Sequence, residues 1–182
     1  MEEKVSVWKA NLTNGIILGL IGVVFSLLLY FLDQMTNKGL GYLLILVNFV
    51  ILFFMIKSFR DNYRHGFLTY GQSLGAGVVI LLYSTIISVI FTYILYKYID
   101  PGLVAKSIAA SEEAMVKRGM TQEQIDMGLT FTKKFMTPEI MAISGLVFGM
   151  FFGTIGVLIV SIFTRKEGNP LIDDNIPGNN SL

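Results

Sequence analysis

Cysteine is absent from the 182-residue sequence, and histidine occurs once, at His65. The first absence removes disulfide frameworks, thiolate metal sites and cysteine nucleophiles together. The second removes clustered-histidine metalloenzymes, which need several such ligands. Charge is also scarce: 15% of residues are Asp, Glu, Lys or Arg, against about a quarter in an ordinary soluble domain. The formal net charge of +1 supplies no basic field for nucleic acid. No phosphate-binding P-loop, dinucleotide glycine fingerprint or GxSxG elbow is present. Gly75-Ala76-Gly77 opens an apolar stretch and reads as packing, not as a phosphate cradle. Catalytic groups, metals and cofactors are therefore not expected, and the chain reads as non-enzymatic.

What the sequence has is apolar length. Hydrophobic residues make up 53% of it, and the mean hydropathy is +0.64. They gather into four blocks, at residues 12–32, 40–56, 74–98 and 140–163. A hydrocarbon core about 30 Å thick takes about 20 helical residues, so each block is long enough or nearly so. Their continuous apolarity excludes barrel strands, which alternate, and lipid leaves only helices as the other way to satisfy a backbone. The expectation is an all-α, integral membrane four-helix bundle in a single domain, residues 1–166, followed by a flexible polar tail, 167–182. The first block lacks a small-x-small cleavage site after Tyr30-Phe31-Leu32-Asp33, so it reads as a retained signal anchor. The interior of every block is free of ionisable residues, which weighs against a proton- or voltage-driven machine.

Flanking cations suggest an orientation. Lys4 and Lys9, then Lys57, Arg60 and Arg64, then Arg165 and Lys166 fall on one side, against Lys38 alone in the short first connection. The positive-inside rule then sets both termini in the cytoplasm. The cation-bearing third connection runs against this, but long segments translocate with less regard for charge.

That third connection, residues 101–136, predicts an extramembrane two-helix amphipathic hairpin. Asp100-Pro101 is a helix start, Gly119 a left-handed stop, and Thr121 with Gln124 a capping box. Thr137-Pro138 repeats the start signal for the fourth span. Val104, Ile108 and Met115 on one helix, and Ile125, Leu129, Phe135 and Met136 on the other, form apolar stripes. These would rest on the bundle or at the headgroups, or would dock a partner.

Within the spans, Gly145, Gly149 and Gly153 recur every four residues, and Gly15, Gly19 and Gly22 line one face of the first span. Rows of small residues let helix backbones approach closely, either within the chain or across an oligomer seam. Asn48, an amide deep in the second span, marks an interhelical hydrogen bond or a solute path. Arg60, Arg64 and His65, set among aromatic residues at the end of that span, suit interfacial anchoring or contact with lipid headgroups or a partner carboxylate. A lipid-phosphate enzyme built on the same three residues ranks behind those roles.

Arg60 through Gln72, Tyr98-Ile99-Asp100-Pro101, the run from Lys117 to Ile125, Thr137-Pro138 and the glycine-rich fourth span ending in Arg165-Lys166 are similar in order and spacing to domain-of-unknown-function family 4199. The resemblance implies a small bacterial four-span envelope protein of the inner (cytoplasmic) membrane and carries no activity or cofactor. Two roles follow as expectations. The first is a scaffold or accessory subunit of an envelope complex, partnered by membrane lipid and by a second copy or another protein. The alternative is a small oligomeric transporter or channel for a neutral or lipid-like solute, which requires a polar cavity near Asn48, Ser84 and Ser88.

Overall fold

The computed structural model describes residues 6–167, so the tail beyond lies outside the described residues. It contains six helices: α1 (Val7–Phe31), α2 (Lys38–Tyr63), α3 (Tyr70–Ile94), α4 (Gly102–Lys117), α5 (Gln122–Phe135) and α6 (Pro138–Thr164). A π-helical turn, Leu95–Ile99, extends α3. Among the described residues there are no strands, only one antiparallel bridge between Leu68 and Lys166. α1, α2, α6 and α3 with its extension are long and apolar enough to cross a membrane, as a multi-pass protein requires. α2 outruns the apolar block at 40–56, because Lys57, Arg60 and Asp61 end a hydrophobic run without ending a helix.

Local chemistry fixes the helix ends. Asn37 Oδ1 accepts from the amides of Gly39 and Leu40 at the start of α2. Thr69 and Gln72 form a reciprocal capping box on α3, and Thr121 and Gln124 form another on α5. Asp100 Oδ1 accepts from Gly102 N at 3.0 Å, just ahead of α4. Thr137 caps α6, with Pro138 in its first turn. His65 (φ +51°) and Gly66 (φ +82°) reverse the chain after α2, and Gly119 (φ +71°) ends α4 in the left-handed region.

α3 is the central helix, with α1 and α6 packed along it and α2 reaching across α1, α3 and α6. The main core joins Leu18 of α1, Leu52, Ile56 and Phe59 of α2, Ala76 and Ile80 of α3, and Val157 of α6. A second cluster is smaller: Leu95 and Tyr96 of the π-helical turn against Leu103 of α4, with Tyr30, Met35 and Met141 around them. The wide turn closes with Asp100 N donating to Leu95 O at 2.9 Å, and it brings Leu95 and Tyr96 under α4. α5 packs on α4, where Met115 fills the space beside Gly128.

Candidate functional site

The α3 sequence from Ser84 to Thr92 carries hydroxyls at positions 84, 85, 88 and 92. At 3.6 residues per turn these share one face. Opposite them stand Gly145, Gly149 and Gly153 of α6, and across the gap stands Asn48 of α2. Together they line a cleft of about 450 Å³ between α2, α3 and α6, reached also by Leu18 of α1.

The cleft opens where the first half of α2 packs less closely than the second. Its second half is sealed: Leu52 is 2% exposed and Ile56 0%. Gly156 accommodates the ring of Phe49, and Gly77 accommodates Val157 and Ile56. Its first half is open, with Tyr42 70% and Leu46 62% exposed. The small side chains on α3 and α6 leave the intervening space unfilled.

The polarity of the cleft is of one kind. Asn48 Nδ2 donates to Leu44 O at 2.9 Å, which leaves its carbonyl oxygen and second amide hydrogen for the cleft. Ser84 Oγ donates to Leu81 O at 2.9 Å. Thr85, Ser88 and Thr92 line the same space, and Ser88 also borders Gly22 of α1. No Asp, Glu, Lys, Arg or His lines the space. It can therefore hold apolar surface and hydrogen-bond an uncharged polar group, but it offers no acid, base or ion partner. Among the described residues, no three His, Cys, Asp or Glu gather in a way that could hold a metal.

The two glycine rows both face α3. Gly15 meets Cβ of Tyr83, a Cβ at Gly19 would lie 2.9 Å from Ile87 Cβ, and one at Gly22 would lie 3.4 Å from Ser88 Oγ. On α6, a Cβ at Gly153 would lie 2.5 Å from Leu81, one at Gly149 3.2 Å from Thr85, and one at Gly145 3.5 Å from Val89. The rows thus sandwich one helix and do not meet each other.

Arg60, Arg64 and His65 are close in sequence but do not converge. Arg60 donates from Nε to Asp61 at 2.8 Å and from Nη1 to Thr164 O at 3.3 Å. Arg64 lies over the Phe59 ring, 5.7 Å from its centroid. His65 is exposed in the reversing turn, where its backbone conformation is the main constraint on it.

Two polar features had only faint sequence signals. Ser73 and Thr164 are buried together, their hydroxyls 2.5 Å apart; Thr164 donates to Val160 O, so Ser73 is the donor to Thr164. Asn11 is fully buried and donates to Val7 O at 3.0 Å. Position alone, at the ends of apolar runs, could have marked them. Outside the spans, Lys106 of α4 pairs with Asp33 at 2.9 Å, and that hydrogen bond raises its pKa. On the same helix, Lys117 holds the Glu113 carboxyl below its ordinary value.

No curated protein and no solved structure matches this chain. The family model described as Protein of unknown function (DUF4199) matches residues 13–166, from within α1 to the bridge at Lys166, and the chain belongs to that family.

Proposed function

We propose that this chain is a non-enzymatic, multi-pass protein of the bacterial inner membrane whose cleft holds an uncharged, lipid-like solute. One observation carries the reading: Asn48, Thr85, Ser88 and Thr92, polar residues inside candidate spans where lipid could not hydrogen-bond them, line an unfilled space between helices. A volume of about 450 Å³, mostly apolar with a few directed polar groups, suits a small ligand. Its opening beside the exposed first half of α2 favours entry from the hydrocarbon. In a small oligomer the same cleft would serve a transporter or channel. The cations at the α2–α3 turn and after α6 favour the cytoplasm for that end, with both termini there and the α4–α5 hairpin outside the bilayer on the opposite side.

Native mass spectrometry of the full-length protein, extracted in gentle detergent, tests the reading. A bound neutral amphiphile is expected on the wild type, and its loss is expected in Asn48→Leu/Ser88→Ala at unchanged thermal stability. A wild type without bound amphiphile, or full retention in the variant, overturns it. The accessory-subunit reading draws its support from the hairpin, since both glycine rows are engaged with α3. Stoichiometric protein companions in the same spectra would favour it.

A further inference from the structure

We propose that α5 is an interfacial helix that seats Met127, Phe131 and Phe135 among lipid headgroups and upper acyl chains. These residues follow one another at intervals of four, so they stack along one face. They are 62%, 62% and 54% exposed, and the Phe131 and Phe135 rings stack on each other. The neighbouring face is already occupied: Ile125 is 4% exposed, and Gly128 lies against Met115 of α4. The apolar arc of α5 is therefore wider than α4 can cover, and its outer half faces away from the protein.

Chain continuity identifies what covers that half. Only Met136 and Thr137 separate α5 from α6, a candidate span. At about 3.6 Å per residue, the end of α5 stays within about 10 Å of where the span begins. That puts the Phe135 end of α5 at headgroup depth. Lys134, three residues after Phe131, sits at the edge of the apolar face, where its stem can lie along apolar surface with the ammonium in water. An aromatic and Met face flanked by lysine, on a helix too polar to cross, fits the interface plane. Tyr98 and Ile99, at the exit of α3, are 68% and 53% exposed, and the Lys97–Glu139 pair puts that exit beside the start of α6. A soluble protein partner would need this face to stand clear of the bilayer, which so short a link to α6 disfavours.

The inference assumes that α6 crosses the bilayer but does not need the cleft to bind anything. Trp8 is the only tryptophan, so Trp8→Phe gives a silent background. In that background Phe131→Trp, in full-length protein reconstituted into phosphatidylcholine vesicles, should lose most of its emission when the acyl chains carry bromine. It should also resist quenching by aqueous acrylamide. Emission unaffected by bromine and open to acrylamide overturns the proposal, and Met127→Trp repeats the test should the first variant not fold. Phe148→Trp on α6, 59% exposed, separates the two readings. Bromine quenching there but not at Phe131 overturns the interfacial seat alone, whereas no quenching at either position overturns the span as well.

Discussion

The two ends of this bundle differ in what fills the space between their helices. At the α2–α3 turn, Leu52, Ile56, Phe59 and Val157 are sealed. Polar ties close that end: Arg60 to Thr164 O, Ser73 to Thr164, and Tyr70 Oη to Leu158 O at 3.3 Å. At the other end, α2 stands away and leaves a cleft. The α6 glycines record the gradient, from Phe49 pressed on Gly156, through Leu81 at Gly153, to only Val89 at ordinary distance from Gly145. Equal spacing along a helix therefore does not mean equal packing. A glycine permits close approach, and the opposing side chain decides whether the approach happens.

Substitutions can break or sharpen that contrast. The largest effect is expected at Gly15, where a side chain would meet Tyr83 Cβ and, at 3.0 Å, the Ile80 carbonyl, neither of which can swing aside. Gly15→Val should cost about 1–3 kcal/mol in reversible unfolding from mixed micelles. Gly145→Ala, at the open end, should stay within about 0.5 kcal/mol. Equal tolerance at both sites would erase the distinction. Next comes Thr164→Val, which leaves the buried Ser73 hydroxyl without its acceptor and should cost about 1 kcal/mol in the same assay. Ser73→Ala added to it should recover part of that loss, because both polar partners are then gone.

The smallest effect is expected at Lys106, where the pair with Asp33 ties α4 to the α1–α2 turn across exposed ground. The folded state raises the Lys106 pKa, so its contribution is complete below the ordinary lysine value of 10.5 and fades as pH rises past it. Lys106→Met should remove that alkaline component from the pH dependence of stability and leave the neutral-pH melt close to wild type. An unchanged alkaline limb would dissociate the pair from folding.

Much of the fold was legible because lipid imposes simple demands. Four uninterrupted apolar runs give four long helices, and Thr121 with Gln124 or Thr137 with Pro138 announce where helices begin. The candidate site was half legible. Asn48, Ser84 and Ser88 stand out as polar letters in apolar text, and the structure brings them to one cleft. What sequence could not supply was the neighbour relation. Nothing in Gly15 or Gly149 says that both look at α3, since spacing fixes a face and not the helix beyond it. Nothing in Phe49 says that its ring lies on Gly156 while Ile45, one turn earlier, stays exposed. The π-helical turn was hidden as well, because Leu95-Tyr96-Lys97-Tyr98-Ile99 suits an ordinary helix and only the structure shows Leu95 and Tyr96 packed against Leu103 of α4.

The single pair of backbone hydrogen bonds between Leu68 and Lys166, both 2.8 Å, has a temporal consequence. Segments enter a membrane in the order they are synthesised, so the turn carrying Leu68 is made while its partner is still to come. Those two amide groups must wait in water until α6 has arrived and delivered Lys166 beside them. The buckle between the α2–α3 turn and the residue that follows α6 can thus close only once α6 has reached that turn.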